Sequence, residues 1–477
     1  MPTPGPQSPN FTSLVEPFID IKRDFAAQGD NQSIDNAPLN NALSAASQRF
    51  GAGKIYLPPG TYILNAPVTM LSQIDIEGAG PEKTIIKLAN NANCDMFVAN
   101  TGLIGLGAGF GSGNVGGIFN FSFRNLTLDG NKANQSGTSY GLRIYGYGFI
   151  LENVRIRNFL TDGMLIDWNG GSSSPGQDQV GAQFVNCKWH DNGGCGFRVG
   201  GPQKSQFINC ETFANGLHGI HLAPNARDCA FTNLLSYGAA QGVTGGAIPI
   251  LCEANNVRFV NVRAQDSDTV QVVLLGNEDL YIGDVIGGTG NASTSGIQIG
   301  QASGNTPYNG QIDQSAGTTT AQTPIGSFVE GIIDSCLGTN GSVWLANDGG
   351  QSKVNVTCKQ ASGSAVTGTP ALSSFINTGA TPNGGSVSAT AVAIANGNTI
   401  NTSNAVSRVN PGANVTGIIM APGVVPGQMC FVDNISANTV TFATVGTSHV
   451  SDGSTAAIPA NAGRLLVWDG TNWVRAA

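Results

Sequence analysis

Residues 184–199 read FVNCKWHDNGGCGFRV, and residues 207–222 read FINCETFANGLHGIHL. In both stretches a phenylalanine stands two positions before an asparagine, and a glycine stands before a triplet of apolar, variable and apolar residues. The asparagine pattern recurs, with Phe or Leu two positions earlier, at Asn125, Asn153, Asn186, Asn209, Asn233 and Asn261. The separations of 28, 33, 23, 24 and 28 residues indicate a repeat architecture with loops of variable length.

The apolar pattern within each repeat predicts strands, because a helical repeat would space its apolar residues three and four apart. Two short strands in about 23 residues cannot bury their apolar face alone, so successive repeats must stack. Stacked strands lie about 4.8 Å apart, which predicts a column of phenylalanine rings inside and a ladder of asparagine amides at the bend. We therefore expect an all-β fold built on a single-stranded right-handed parallel β-helix.

The chain divides into three predicted regions. Residues 1–16 are rich in Pro, Ser and Asn and are expected to form a flexible tail. Residues 17–380 are assigned to the β-helix. After a linker at residues 378–386, residues 387–477 are expected to form a small β-sandwich-like domain that ends in a hairpin around Asp469-Gly470.

One helix is predicted, at residues 35–50, with Asp35 or Asn36 as its N-cap and Leu39 and Leu43 on its apolar face. Strands are predicted at Lys54–Leu57, Thr61–Leu64, Ile74–Gly78, Phe328–Ile333, Ser342–Leu345 and Val354–Thr357.

Composition argues against several classes of protein. Charged residues make up only 11% of the 477, the net charge is −8, and the few basic residues are scattered, which argues against a nucleic-acid partner. The sequence has no uninterrupted run of about 18 apolar residues, so a membrane-spanning segment is not expected. The first residues lack the basic and apolar regions of a signal peptide, which indicates synthesis in the cytoplasm. Nine cysteines without paired spacing favour buried free thiols, and no metal or cofactor is expected.

The N-terminal block resembles the pectate-lyase-like β-helix superfamily, especially phage tailspikes and pre-neck appendages. The resemblance lies in Ile19–Ile21, Ala27–Asp30, GAGKIYLPPGTY at residues 51–62, and Ile76–Gly80. It implies that the predicted helix caps the N-terminal end of the β-helix. The last ninety residues, with VNPGA at 409–413 and VWDG at 467–470, are similar to a C-terminal domain of phage structural proteins. That similarity implies a homotrimer attached to a virion tail or baseplate through its N-terminus, with a C-terminal domain for trimerisation or receptor contact.

A β-helix presents its outward residues in rows, so residues distant in sequence can form one site. The variable position of the glycine-led triplets gives Arg143, Leu165, Arg198 and His221, and the position before each glycine gives Tyr140, Asp162, Cys195 and His218. Such a row could bind an acidic sugar and move a proton, although an ordinary solvated face has the same composition.

The other strand of the repeat offers a second set of candidates, namely Asp129, Arg157, Lys188, His190, Asp191 and Glu211. Two carboxylates that face each other across a sugar are what glycoside hydrolysis requires. Trp168 and Trp189 are candidate platforms on which a sugar ring could stack, and the alternative is that they pack on the protein surface.

Leu160–Gly163 (LTDG) and Leu217–Ile220 (LHGI) are similar to two polygalacturonase motifs. This similarity implies that Asp162 is a catalytic carboxylate supported by His218. The paired aspartates of that family should follow one rung later, where this chain has Gly193-Gly194-Cys195.

The sequence thus predicts a phage-type tailspike that acts outside the cell and depolymerises a bacterial surface polysaccharide, which could be a capsule, an exopolysaccharide or an O-antigen. Hydrolysis and elimination both remain open, as do the sugar, the linkage and the host. The alternatives are a non-catalytic receptor-binding spike of the same fold and a uronan epimerase. The predicted catalytic residues are Asp129, Asp162, Asp191, Glu211, His218 and His221, and the predicted substrate-binding residues are Arg143, Arg157, Trp168, Trp189 and Arg198.

Overall fold

The computed structural model describes residues 18–48, 53–99, 118–144, 146–166, 181–199, 204–223, 226–239, 247–266, 270–287, 295–300, 325–334, 336, 343–345, 352–359, 366–368, 375–380, 393–400, 406–423 and 428–475. The predicted tail at residues 1–16 and Trp168 lie outside the described residues. The chain forms two compact units, divided between Gly384 and Gly385.

The first unit is a parallel β-helix made of two long sheets, and every strand pairing that joins neighbouring rungs is parallel. Sheet A has 19 strands, at Ile19–Asp20, Asp30–Ile34, Gly53–Leu57, Gly60–Leu64, Ile74–Gly78, Thr84–Leu88, Ser122–Asp129, Ile150–Arg157, Gln183–Val185, Lys188–His190, Gln206–Ile208, Glu211–Phe213, Ala230–Thr232, Leu235–Tyr237, Arg258–Gln265, Leu280–Ile286, Phe328–Asp334, Lys353–Lys359 and Phe375–Ala380. Sheet B has 11 strands, at Val68–Met70, Phe97–Ala99, Leu142–Ile144, Met164–Ile166, Phe197–Val199, Ile220–Leu222, Ile250–Cys252, Val270–Leu274, Ser295–Ile299, Val343–Leu345 and Val366–Gly368. A small pair joins Ile118–Phe119 to Gly146–Tyr147. The predicted right-handed parallel β-helix is confirmed.

The repeated asparagines form the bend within each rung of sheet A. All six have a left-handed backbone with φ between 53° and 56°, which Asn tolerates better than other non-glycine residues. Their amides bond from rung to rung: Asn153 Nδ2 donates to Asn125 Oδ1 (2.8 Å), Asn233 Nδ2 to Asn209 Oδ1 (2.9 Å), and Asn261 Nδ2 to Asn233 Oδ1 (2.6 Å). The predicted ladder is present at these three steps.

The phenylalanines two positions earlier form the predicted inner column. Phe184, Phe207, Phe231 and Phe259 are fully buried and pair in register on successive strands. Their rings stack with centroid separations of 4.3, 4.3 and 4.8 Å. This column and the facing apolar residues of sheet B form one continuous core.

Two helices precede the column. Helix α1 (Ile21–Phe25) was not predicted; it is capped by Asp20, whose carboxylate accepts from the backbone N–H groups of residues 22 and 23. Helix α2 (Asn36–Gln48) is the predicted helix, and its buried face of Leu39, Ala42, Leu43 and Ala46 packs on the first rungs. The carboxylate of Asp35 instead holds the backbone N–H groups of residues 28 and 29.

The linker predicted at residues 378–386 begins too early. Phe375–Ala380 is the last strand of sheet A, where it pairs with Lys353–Lys359, so residues 378–380 belong to the β-helix. Residues 381–386 lie outside the described part of the chain.

The second unit consists of two four-stranded sheets around one apolar core. Sheet D contains Thr399–Ile400, Val415–Met420, Val440–Phe442 and Ala457–Ile458; sheet E contains Val406–Val409, Met429–Asn434, Ala462–Trp468 and Trp473–Arg475. The predicted hairpin is present, with Trp468 paired to Trp473 and both rings buried in this core.

Eight of the nine cysteines are buried and all nine are free thiols, as predicted. None of the described helices is long and apolar enough to span a membrane.

Candidate functional site

Sheet B aligns the first predicted set of residues on its outer surface. Arg143, Leu165, Arg198 and His221 are direct register partners on four successive strands. The backbone N–H groups of Gly141, Gly163 and Gly196 donate to the carbonyls of Asp162, Cys195 and His218 on the next rung. Tyr140, Asp162, Cys195 and His218 therefore form a second row beside the first, and the two rows together are called the sheet B site below.

Asp162 is a buried carboxylate held by several N–H donors. Its Oδ1 accepts from the Cys195 backbone N–H (2.7 Å), and its Oδ2 accepts from Nε and Nη2 of Arg198 (2.9 Å each). Two N–H groups of one guanidinium that bond the same carboxylate oxygen fix the plane of the guanidinium as well as its position. Asp162 therefore fixes the orientation of Arg198, whose Nη2 is also 3.5 Å from the Tyr140 hydroxyl.

Gly193 and Gly194 stand where a polygalacturonase would have its paired carboxylates, and close packing requires glycine at both positions. A Cβ added at Gly194 would lie 2.3 Å from Asp162 Oδ1, and one added at Gly193 would lie 2.3 Å from the Leu160 carbonyl oxygen. No side chain fits at either position, so the carboxylate pair of a polygalacturonase is not formed here.

Asp95 extends the second row by one rung, and the sequence pattern did not indicate it. The Met96 backbone N–H bonds the Tyr140 carbonyl, just as that of Gly141 bonds Asp162, so Asp95, Tyr140 and Asp162 occupy successive rungs. Asp95 Oδ1 accepts from the Tyr140 backbone N–H (3.1 Å), and its Oδ2 lies 3.9 Å from Arg143 Nη1. The glycine-led pattern does not include Asp95, because the residue after it is Met96, where later rungs have glycine.

Burial shifts the two titratable groups at this end of the site. It raises the pKa of Asp95, although the Tyr140 N–H and Arg143 act in the opposite direction. It also raises the pKa of the Tyr140 phenol, an effect that nearby Asp162 reinforces and that Arg198 and Arg143 oppose. Asp95 is thus a stronger base than an exposed aspartate, and Tyr140 retains its proton at neutral pH.

The two predicted histidines lie at the other end of the row and are almost fully buried. His221 Nε2 is 2.8 Å from Glu253 Oε2, a partner that the sequence did not indicate. His218 Nδ1 accepts from the Ile248 N–H (3.1 Å). Burial, with His221 and Arg198 nearby, lowers the pKa of His218 to about 3, so this imidazole is neutral at physiological pH.

The second predicted set lies on sheet A and its turns, and its carboxylates are held by neighbouring cationic side chains and N–H or O–H donors. Asp129 Oδ2 accepts from Arg157 Nε (2.9 Å), while its Oδ1 accepts from the Asn131 N–H (2.9 Å) and closes the turn that the Asp-Gly-Asn sequence predicts. Glu211 pairs with Lys188 on the adjacent strand and accepts from the Tyr237 hydroxyl (3.0 Å).

His190 and Asp191 belong to a second corner ladder that the sequence did not reveal. His190 Nδ1 is 2.6 Å from Asp191 Oδ2, and its ring stacks on Phe213 at 4.5 Å. Asp191 has a left-handed backbone, as do the equivalent residues of neighbouring rungs, Asn158, Ala214, Gly238 and Asp266. Their varied identities leave no repeat in the sequence.

Trp189 is not a sugar platform, and that prediction is wrong. The strand Lys188–His190 turns Lys188 and His190 outward, so Trp189 points into the column, where it is fully buried between Phe184 and Phe197.

Among the described residues, no group of three or more His, Cys, Asp or Glu side chains is placed to hold a metal ion. Extended by Asp95, the sheet B site offers two guanidinium groups, the half-buried phenol of Tyr140, and two carboxylates, of which Asp162 is buried and Asp95 is half-buried. These groups suit recognition of an anionic polymer and transfer of a proton.

The family model described as rhamnogalacturonase A/epimerase, pectate lyase-like, matches residues 18–244, which contain the whole sheet B site as far as His221. Residues 18–244 are a pectate-lyase-like β-helix. The predicted superfamily is thus confirmed for this domain.

Several known proteins are similar to this chain. It is 29% identical over 238 residues to mannuronan C5-epimerase AlgE2 of Azotobacter vinelandii, covering 45% of this chain and 21% of that protein. The chain therefore spans about a fifth of the length of that curated relative. Two solved structures share its fold. The A-module of A. vinelandii mannuronan C-5 epimerase AlgE6 has a TM-score of 0.56 at 19% identity, covering 76% of this chain and 99% of that one. The tailspike protein of E. coli bacteriophage HK620, in complex with a pentasaccharide, has a TM-score of 0.52 at 13% identity, covering 90% and 79%.

Proposed function

We propose that this chain binds an acidic polysaccharide along the sheet B site and modifies it by moving a proton at a uronic acid residue. The observation that carries the proposal is the row Arg143–Leu165–Arg198 with Asp95 and Tyr140 beside it. Two cations on one outward row match a polymer with repeated carboxylates. The sequence relatives named mannuronan C5-epimerases support the same class of substrate.

The chemistry begins at the carbon next to a uronate carboxylate. Asp95 takes the proton from carbon 5, and Arg143 stabilises the negative charge that develops on the neighbouring carboxylate. In an elimination, Tyr140 gives its proton to the glycosidic oxygen as the bond from carbon 4 breaks and a double bond forms between carbons 4 and 5. In an epimerisation, Tyr140 instead returns a proton to carbon 5 from the opposite face.

Hydrolysis by two carboxylates has less support. It requires one carboxyl group that donates a proton and a second one across the sugar. Asp129, Asp162 and Glu211 each accept from a cationic side chain, and glycines occupy the place of the expected pair. His218 and His221 are too deeply buried to contact a polymer, and His221 lies on the rung next to Arg198.

The biological setting is part of the proposal. The fold shared with a tailspike bound to a pentasaccharide supports a virion tail protein that acts outside the cell on a capsule, an exopolysaccharide or an O-antigen. In this setting the N-terminus attaches to the virion, and the chain is a homotrimer.

An apolar surface on the C-terminal unit supports assembly with further copies of this chain. Five apolar residues are neighbours across three strands on the outer face of sheet E, namely Met429, Phe431, Leu465, Val467 and Val474. Four of them, all except Val467, are exposed. At the margin of this face Arg408 pairs with Asp433 (2.9 Å), so like charges would not oppose contact between identical copies. Exposed apolar patches of this kind mark protein interfaces.

The test is incubation with mannuronan, polygalacturonate, and capsule or lipopolysaccharide from candidate hosts. Ultraviolet absorbance of an unsaturated uronate would show elimination, and deuterium uptake at carbon 5 without chain cleavage would show epimerisation. Asp95→Asn and Tyr140→Phe should each lower turnover about 100-fold or more, the usual share of a proton-transfer group.

Glu211→Gln, on sheet A, is the matched control and should leave turnover unchanged. New reducing ends without absorbance would refute proton abstraction. Tight binding without product from any accepted polymer would favour the non-catalytic spike instead.

A further inference from the structure

We infer that the sheet B site is closed at one end, so that it takes the terminus of a polysaccharide chain and not an internal stretch. The inference rests on the proposed function, because it concerns how the same polymer lies on the same row. It adds a mode of action, since a site that takes chain ends works from the terminus inward.

Over five successive rungs the outward row of sheet B is open except at Leu165, which is buried. Register pairing joins Thr69, Val98, Arg143, Leu165 and Arg198 in that order. Thr69 and Val98 are short and half-buried, the Arg143 side chain is 49% exposed, and that of Arg198 is 18% exposed. Leu165, at 8% exposure, forms the floor between the two arginines. Four steps of about 4.8 Å make this open stretch about 19 Å long.

Beyond Arg198 the same row is covered over four successive rungs. His221, Leu251, Val273 and Gln298 continue the register, and their exposures are 2%, 0%, 0% and 0%. In a β-helix these positions face away from the core, so their side chains are expected to be exposed to solvent unless another part of the protein covers them. Arg198 is the last accessible position of the row, and every position from His221 to Gln298 is covered.

The covered stretch is firmly packed. At its edge His221 and Glu253 form a buried pair (2.8 Å), and separating the two while either stayed buried would be costly. Behind that pair, Leu251 and Val273 join Ile248, Val270 and Leu275 in an apolar cluster separate from the central column. Opening the row would expose this cluster to water, so the closed end is a stable feature of the fold.

A polymer that follows the row from the Thr69 end therefore stops at Arg198, one rung before His221. An internal stretch would have to leave the surface there, whereas a chain end can stop against the covered rung. Arg198, fixed by Asp162, is then placed to bind the carboxylate of the terminal sugar, and Arg143 binds a sugar about two rungs behind it.

The test is the number of chains bound per protomer as chain length increases. Length-fractionated mannuronan, or the polymer that shows turnover in the assay above, is titrated by calorimetry into the full-length Asp95→Asn protein, so that no chain is consumed. End binding predicts one chain per protomer at every length above the shortest fraction that fills the site, with an unchanged dissociation constant per chain end.

Arg143→Gln serves as a companion variant, and should weaken binding at all lengths equally without changing the ratio of chains to protomers. If the number of polysaccharide chains bound per protomer instead decreases in inverse proportion to polysaccharide length, the closed-end inference is overturned and the proposed function stays intact. Absence of binding at every length, for every polymer, would overturn the proposed function and this inference with it.

Discussion

Replacing Gly194 by alanine tests whether Asp162 organises the sheet B site. The added Cβ would lie 2.3 Å from Asp162 Oδ1 and 2.9 Å from the Thr161 carbonyl carbon, and real Cβ atoms do not approach so closely. The carboxylate must therefore withdraw from the Cys195 N–H that it meets at 2.7 Å and loosen its pair with Arg198. The Gly194 backbone does not have a positive φ, so the effect is steric and not one of backbone strain.

The expected magnitude follows from the bonds that are lost. A hydrogen bond to a charged group contributes about 1.5–3 kcal/mol, and two such bonds are disturbed, so the free energy of unfolding should fall by about 3 kcal/mol. Arg198 also loses its fixed orientation, and a loss of about 1.4 kcal/mol in binding would raise the dissociation constant for an acidic polymer about tenfold.

Denaturant unfolding and polymer titration measure the two effects. Gly181→Ala is the matched control, because its Cβ would meet only the Lys204 carbonyl oxygen at 4.0 Å, an ordinary contact. If Gly194→Ala unfolds at the same denaturant concentration as the parent and binds polymer with the same affinity, Asp162 does not organise this site.

Two further predictions concern other parts of the chain. Burial raises the pKa of Asp279 to about 7 from an ordinary 3.8, so its contribution to stability is complete below pH 4 and is lost as pH rises through 7, by about 4 kcal/mol for three pKa units. Unfolding followed from pH 4 to pH 8 should show this decline, and Asp279→Asn should flatten the slope whatever its absolute stability; an equal slope in both proteins would contradict the assignment. On the C-terminal unit, Phe431→Asp should dissociate the proposed trimer in analytical ultracentrifugation, whereas Val445→Asp, also at an exposed apolar residue but not part of the sheet E patch, should not. A trimer that survives Phe431→Asp would exclude this face as the interface.

The sequence alone was sufficient for the repeating part of the fold. Each rung uses the same residues for the same task, an asparagine at a left-handed corner and a phenylalanine in the column, so a one-dimensional pattern carries the register. That register correctly placed Arg143, Leu165, Arg198 and His221 in one outward row. The strict alternation that makes this possible would also have identified Trp189 as a core residue, had it been applied to Lys188–His190.

Features that do not repeat needed the tertiary structure. The second corner ladder uses residues as different as Ala214 and Asp191, because a left-handed corner constrains the backbone and not the side chain. Asp95 joins Tyr140, and Glu253 joins His221, only because successive rungs bring residues 45 and 32 positions apart within bonding distance.

Whether an outward position is exposed to solvent or covered also depends on the tertiary structure. Arg198 and His221 hold the same place in the repeat, yet one is accessible and the other is buried. The sequence of this protein determined which side chains share a face, since strand alternation and rung stacking are local rules. Only the packing between distant segments decided which of those side chains are exposed, since burial is set by what lies over a residue and not by the residues beside it in the chain.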